Sequence, residues 1–419
     1  MDNRIAVSPL VAGMIEVAPA MLDLTERTHL DQVRADAGVL FREYPDRADL
    51  EALEVELAAR KDEVPLSVHL AVKLAKSKRI VSAIADDIHI SVVFAVYKEH
   101  ERIHKRDADH PYGENFLLRK IEQLQWLFAD TPNFSWDMII VDDGCPDGSG
   151  RIAQQILEEH YDGDNVQVLF LAEAIAQGLP VTKPMTSPND SRKGGSIAYG
   201  MWVAAQEERP YHIILFTDAD LSTHLGQTGL LVDGIVNQGK LSAIGSRREP
   251  TSIVVKKGTR NLRGKLFIYL WKRIIYNIEY IVDTQCGFKA FTAPTVRAIV
   301  ADLIEKGFAF DIELLLKTEL LQPQAIEKEP IGWIDSEALS TTTDIQPYLS
   351  MLKGMVAMYR KYLTPNPESD EFAAFIESLD EPAWHKLVDN IPAGIASREP
   401  AEFSMYHGVS AADLQAAIA

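Results

Sequence analysis

Two aspartates one residue apart, Asp218 and Asp220 in "YHIILFTDADLST", follow a run of apolar residues from Ile213 to Phe216. Charges placed just past a buried strand lose solvation unless something positive compensates them. Carboxylates at i and i+2 can share a hard divalent cation. Mg2+ prefers one or two carboxylates completed by substrate phosphate oxygens to an all-protein cage. Alone, the pair could equally be a solvated turn at a strand end.

The pattern occurs earlier too. In "VDDGCPDGSG" (141–150), Asp142 and Asp143 close another apolar run and lead through a glycine-rich turn into a helix. Asp143 is placed to accept from a base N–H or from ribose hydroxyls, and Gly144 and Gly148 permit close backbone approach. An ordinary βα turn has the same composition. "RKGGSIAYG" (192–200) sets Arg192 and Lys193 before a glycine pair that opens a helix. A helix N-terminus beside cations is a phosphate site, and a surface loop is the plain alternative. Further on, Arg247, Arg248, Lys256, Lys257, Arg260, Arg263 and Lys265 concentrate positive charge in a chain of net charge −19. Such a cluster suits a diphosphate or an acceptor phosphate. Asp283 in "VDTQCGFKAF", and Asp311 and Glu313 in "GFAFDIELLLKTELL", lie in apolar surroundings. A carboxylate so placed can carry a raised pKa and act as a general base. It can also be a paired structural acid, the reading preferred for Asp311 and Glu313.

The elements that position these residues alternate. "HISVVFAV", "WDMIIVDD", "NVQVLFLA" and "YHIILFTDAD" are short β-branched runs of the buried, parallel-strand type. Between the first two, Leu117, Ile121, Leu124 and Phe128 keep a helical rhythm, and "SGRIAQQILEEH" and "GSIAYGMWVAAQEE" supply two more helices. Strands alternating with helices predict an α/β fold with a mostly parallel sheet. Ligands of such sheets bind beyond the carboxyl ends of the strands, where both acidic motifs fall. Residues 1–87 read as a helical extension, with Leu50, Leu53 and Leu57 at helical spacing, and serve packing or dimerisation. The catalytic domain spans 88–335. Residues 336–419 form a second helical extension, striped by Ile345, Leu349, Leu352, Val356 and Tyr359. "LFIYLWKRIIYNIEYIV" reads as a core helix before a membrane-surface one.

Composition narrows the function. With 47% hydrophobic and 25% charged residues over 419 positions, the chain is an ordinary globular protein. A net charge of −19 argues against general nucleic-acid binding. Two cysteines build no disulfide framework and fit a reducing compartment. No signal peptide is expected, and no run approaches the ~18 apolar residues of a spanning helix, so a cytoplasmic enzyme is expected.

Together these motifs resemble glycosyltransferase family 2, the nucleotide-sugar enzymes of GT-A fold. "VDDGCPDGSG" resembles that family's VDDGSxDGS turn, "DAD" its metal-binding DxD, "RKGGSIAYGM" its GKGxAxxxG segment and "AIGSR" its GSR strand end. "DTQCGFKAFT", "FAFDIELL" and "IEKEPIGW" look most like the dolichyl-phosphate glucosyltransferase and mannosyltransferase branch. The similarity covers roughly residues 88–335, in order. By position it implies Tyr97 and Glu99 near the nucleotide base, and Asp143 with Asp142 on base and ribose. Asp218 would face ribose or phosphate, and Asp220 would coordinate Mg2+ or Mn2+ with it. Lys193 would meet the donor phosphates, Arg247 and the basic segment the diphosphate or acceptor, and Asp283 the acceptor nucleophile. The implied reaction is inverting transfer from a UDP- or GDP-sugar, either to a phosphate-bearing lipid or to a soluble natural-product or nucleoside scaffold. At most peripheral membrane contact is expected, with self-association through the terminal helices. Ala95 and Lys98 depart from the family's usual proline and asparagine, and Cys145-Pro146 from its serine turn. A nucleotidyltransferase would need a glycine-rich basic loop after the first strand, which "FAVYKEHERIHKRDAD" lacks. Intact Asp143, Asp218, Asp220 and Asp283 speak against a degenerate binding scaffold.

Overall fold

The computed structural model describes residues 8–23, 26–191, 193–255, 261–335 and 347–418. Arg192, Ile345 and, from the basic segment, Lys256, Lys257 and Arg260 lie outside them. Four helices come first: α1 (Pro9–Val17), α2 (Arg27–Glu43), α3 (Arg47–Ala58) and α4 (Leu66–Ala83). The strands are β1 (Ile88–Val96), β2 (Phe134–Asp142), β3 (Val166–Phe170), β4 (His212–Thr217), β5 (Ser242–Ser246), β6 (Ile253–Val255), β7 (Phe288–Thr292), β8 (Ile326–Pro330) and β9 (Gly332–Ile334). Interleaved with them are α5 (Phe116–Phe128), α6 (Ser149–His160), α7 (Leu171–Ala176), α8 (Gly194–Ala204), α9 (Thr228–Val236), α10 (Asn261–Ile274), α11 (Ala293–Ile299) and α12 (Phe310–Leu321). After β9 come α13 (Tyr348–Tyr362), α14 (Pro367–Ser378), α15 (Glu381–Asp389), α16 (Ala393–Ala396) and α17 (Ala411–Ala417).

Seven strands form one sheet in the order β3-β2-β1-β4-β7-β5-β8, and β6 pairs with β9 in a separate ribbon. β1 runs parallel to both β2 and β4, so the strand order reverses between β1 and β4. That reversal is the topological switch point, where ligands of open α/β sheets bind. Among the described strands only β7 runs against its neighbours, β4 and β5. It brings the segment just before it back to the end of β4, and the backbone N–H of Asp218 donates to the Gly287 carbonyl at 3.1 Å.

Alternation along the strands feeds two cores, one on each face. Val93, Val141, Ile214 and Phe216 face a cluster shared with α8, α10, α12 and the helices after α12. Val92, Phe94, Ile140, Ile213 and Leu215 face a cluster shared with α1 to α5 and α9. The N-terminal helices therefore bury their apolar residues against the sheet. α4 is buried continuously from Ser67 to Lys78, and four of its polar side chains find partners there, while Ser67 Oγ and His69 Nε2 have none among the described residues. Lys73 and Lys76 both bind Glu54 of α3, the Ser77 hydroxyl accepts from Gly229 N–H at 2.9 Å, and Lys78 donates to the Trp126 carbonyl at 3.0 Å.

On the other face, α10 is a core helix, with Tyr269 and Trp271 fully buried. Its cations turn toward the C-terminal helices. Lys265 pairs with Glu399 at 3.1 Å, Lys272 donates to the Ser404 hydroxyl at 3.0 Å, and Arg273 meets Glu368 at 3.5 Å. This corrects part of the basic-segment expectation: Lys265 lies on the face of α10 that carries the C-terminal zone, not at a phosphate site. Among the described residues no helix is long and apolar enough to cross a membrane.

Candidate active site

Three acidic stretches meet at the switch point: Tyr97 to Glu99 after β1, Asp142 and Asp143 at the end of β2, and Asp218 to Asp220 after β4. Each carboxylate there is already engaged, and its partner defines what it can do.

Asp142 turns inward. Its Oδ1 accepts from the backbone N–H groups of Gly144 and Cys145 at 3.0 and 3.1 Å, and its Oδ2 from Gly150 at 2.8 Å. It folds the turn into α6, helped by Gly144, whose φ of 71° only glycine adopts without strain. Contact with base or ribose is therefore not what Asp142 is arranged for. Asp143 accepts from Lys193 N–H at 3.0 Å and from the Ser196 hydroxyl at 2.6 Å, so it anchors the start of α8. Burial raises its pKa, against the hydrogen bonds from Ser196 and Lys193 N–H.

Glu99 is likewise buried. Its carboxylate accepts from Arg102 Nε and Nη2 at 2.8 and 2.6 Å, and Arg102 Nη1 reaches Asp220 Oδ2 at 3.2 Å. Burial opposes the guanidinium charge, but Glu99 and Asp220 outweigh it and raise the Arg102 pKa. Glu99 therefore holds Arg102, whereas Tyr97 is 41% exposed.

Asp218 pairs with Lys193. Burial would raise the Asp218 pKa, yet the Lys193 ammonium, with help from Arg247 and Lys289, lowers it, so the pair is ionised. A Cβ on Gly287 would come within 2.3 Å of Asp218 Oδ1, so glycine is what admits the carboxylate here. Asp220 Oδ1 accepts from Ser222 N–H at 3.0 Å. A divalent cation fits this donor set in one way only. Among the described residues no group of three or more His, Cys, Asp or Glu is arranged to hold a metal. Two carboxylates at a strand end, completed by phosphate oxygens, match the Mg2+-type coordination expected from the sequence.

Arg247 and Asp283 form a bidentate pair. Asp283 Oδ2 accepts from the Arg247 backbone N–H and Nε at 2.8 Å each, and Oδ1 from Nη2 at 2.7 Å. Burial alone would push the Asp283 carboxyl up, but the guanidinium holds it well below the usual carboxylate range. The raised pKa expected of a general base is thus reversed: an ion pair at 4% exposure favours the charged form. Arg247 also lies 5.1 Å from the Trp333 ring centroid.

Three contributors were not singled out in the sequence. Arg102 is one. Lys289 on β7, fully buried and 2.6 Å from Asp311, is another. The third is Lys120, fully buried with no hydrogen-bond partner on Nζ, 5.7 Å from the Phe94 ring. Burial pushes its pKa down to about 8, while Asp220 and Asp218 pull it up. A signal for Lys120 existed: three residues past Leu117 and four before Leu124, it sits on the apolar stripe of α5. Glu313, by contrast, accepts from Ile304 and Glu305 N–H at 2.8 and 2.7 Å and from the Tyr362 hydroxyl at 2.6 Å, a structural role.

No family model matches the chain. Relatives do. A dolichyl-phosphate beta-glucosyltransferase of Drosophila melanogaster is 28% identical over 291 residues, covering 66% of this chain and 76% of that protein. Its Saccharomyces cerevisiae namesake is 26% identical over 298 residues, with the same coverage. An undecaprenyl-phosphate mannosyltransferase of Micrococcus luteus is 29% identical over 202 residues, 48% of this chain and 73% of that one. Among solved structures, glucosyl-3-phosphoglycerate synthase of Mycobacterium tuberculosis, in complex with Mn2+, UDP and glucosyl-3-phosphoglycerate, aligns with 70% of this chain and 86% of its own. The TM-score is 0.46 and the identity 14%.

Proposed function

We infer, for a chain that belongs to glycosyltransferase family 2 beside the dolichyl-phosphate glucosyltransferases, that it transfers a sugar from a nucleoside diphosphate sugar to a phosphate-bearing acceptor with inversion. The observation that carries this reading is the pair Asp218 and Asp220 at the switch point, ringed by Lys193, Arg102 and Arg247. Carboxylates and cations in alternation suit a ligand that brings both a metal and phosphates.

In this reading Tyr97 meets the nucleotide base at the open mouth of the site. Asp143 holds the Lys193 loop at the start of α8, and Asp142 shapes the neighbouring turn. When the donor arrives, Lys193 leaves Asp218 for the diphosphate, to which its ammonium is electrostatically better matched. Asp220, with Asp218, would then hold Mg2+ or Mn2+, which supplies positive charge against the departing nucleoside diphosphate. Asp283 keeps Arg247 oriented and charged for the acceptor phosphate. An acceptor phosphate oxygen forms the new bond to the anomeric carbon as the carbon–oxygen bond to the diphosphate breaks, and the electron pair leaves with the diphosphate. A phosphate dianion has no proton to lose, so the low pKa of Asp283 is no obstacle. We place the reaction on the cytoplasmic side, where nucleoside diphosphate sugars are made, with at most peripheral membrane contact.

A thermal-shift panel of UDP- and GDP-sugars with Mn2+ tests this directly. One donor class should stabilise the protein, and Asp220→Ala should lose both that shift and transfer while keeping its unliganded melting temperature. Full turnover in Asp220→Ala would refute the metal role.

A further inference from the structure

The turn that carries Asp218 and Asp220 rests on α5. Glu114, just before that helix, accepts from the N–H of Leu221 at 3.3 Å, and Gln123 within it accepts from the N–H of Leu225 at 2.8 Å. Both clamping side chains are buried, and Ala219 and Leu221 share an apolar cluster with Leu117 and Leu124 of α5. Lys120 stands between the two clamps on the buried side of the helix. Its ammonium has no hydrogen-bond partner among the described residues and lies 5.7 Å from the Phe94 ring centroid.

A fully buried cation without a hydrogen bond is costly unless other charges hold it. His224, which feels the Lys120 charge, offers none, because burial pushes its own pKa down to about 3 and keeps it neutral. What sustains the ammonium against burial is a set of carboxylates: Asp220 first, then Asp218, Glu114 and Glu99. Two of these are the acids of the DAD turn. Lys193 and Arg102 reach the same two acids through direct ion pairs and can exchange them for phosphate oxygens. Lys120 has no such freedom, since Phe94, Phe116, Leu117 and Leu124 are packed in the same interior. It stays behind the aspartates as a fixed positive charge, whatever binds in front of them.

We propose that Lys120 is a positioning residue acting through Asp218 and Asp220: its fixed charge opposes a bare divalent cation and favours a diphosphate, so that the aspartates take up metal only together with the donor's phosphates. The inference rests on the metal and nucleotide reading above and adds to it the residue that couples the two.

Isothermal titration of the full chain with MnCl2 alone, and separately with UDP alone, reads the two signs apart. Lys120→Met keeps the length of the side chain and removes the charge. It should bind Mn2+ roughly tenfold more tightly, the size typical of a change behind a metal ligand, and UDP more weakly. Its unliganded melting temperature should not fall, because an apolar group of similar volume replaces a buried charge without detriment. Lys120→Gln, a second neutral variant, should shift both affinities the same way, and Lys120→Arg, which keeps the charge, should retain the parental values. A purely structural role would weaken both ligands together. That result, unchanged affinities, or loss of folding in both neutral variants would overturn the coupling role alone. A parent that shows no melting shift with Mn2+ and UDP together would overturn the functional reading, and the role of Lys120 with it.

Discussion

Asp283→Asn separates two roles that the sequence leaves open. Asp283 is 4% exposed and takes three hydrogen bonds from Arg247 at 2.7–2.8 Å. Asparagine keeps the shape and removes the charge, which leaves a buried guanidinium without its counterion. Breaking such a pair on one side costs about 3–5 kcal/mol. With an unfolding entropy of ~2.1 cal/mol/K per residue, a chain of 419 residues loses ~1 °C of Tm for each ~0.9 kcal/mol. The variant should therefore melt about 3–6 °C below the parent in calorimetry at neutral pH. Because Arg247 holds the folded pKa of Asp283 below its unfolded value, the stabilisation is present above the unfolded pKa and is lost as pH falls through the folded one. The gap in Tm should thus be constant from about pH 8 to about pH 5 and narrow below about pH 4. Turnover should fall through the misplaced Arg247, but the pH dependence of kcat/KM should keep its shape. An unchanged Tm together with loss of the acid limb of the rate profile would make Asp283 the base and refute this reasoning.

Three further expectations follow from the same contacts. Because Lys193 and Arg102 already neutralise Asp218 and Asp220, Mn2+ alone should stabilise little, whereas Mn2+ with UDP should raise Tm by more than the sum of the two. A complex at a hundred times its Kd gives ~2.7 kcal/mol, or about 3 °C for this chain, and simple additivity would refute the exchange of partners. Gly287→Ala would press a methyl group to within 2.3 Å of Asp218, so a loss of about 1–3 kcal/mol and of the joint Mn2+ and UDP shift is expected. A full shift in that variant would show that Asp218 has room elsewhere. Finally, burial pushes the Glu329 carboxyl up to about 8 from 4.5, Lys76 pulling against it. A carboxyl raised on folding stabilises fully only below its unfolded pKa, and that share is lost as pH rises through about 8. Glu329→Gln should accordingly raise Tm above about pH 8 and change little near pH 4, and equal effects at both would contradict this.

How much of this was legible depends on the range of the interaction. β1, β2 and β4 are continuous β-branched runs, and a strand buried on both faces needs little else to identify it. The helices α5, α6 and α8 carry their apolar faces or glycine starts in the local sequence. β8, "IEKEP", lies at the edge of the sheet and is polar, so no local pattern marks it as a strand. The antiparallel course of β7 is likewise invisible until β4 and β5 flank it. Within the site, the acids were readable as residue types at strand ends, but their partners were not. Arg102 and Asp220 are 118 residues apart, and Arg247 and Asp283 are 36 apart. Motif spacing names the carboxylate and says nothing of the cation that folding sets against it.

That asymmetry has a physical origin that also bears on how the enzyme is loaded. A cluster of unpaired carboxylates at the end of a buried strand would be repelled by itself and by the low dielectric beneath it. The fold therefore needs a counter-charge for each acid before any ligand is present. Lys193 serves Asp218, Arg102 serves Asp220 and Glu99, Arg247 serves Asp283, and Lys289 serves Asp311. A metal approaching alone meets carboxylates already neutralised, and a diphosphate approaching alone meets cations already engaged. In the proposed reading, both arriving together would exchange partners, metal to carboxylate and phosphate to cation, and no charge would be left uncovered. A site built in this way would bind a metal and a nucleotide donor together or weakly, which is why the coupling between Mn2+ and UDP, more than the affinity of either, is the quantity to measure.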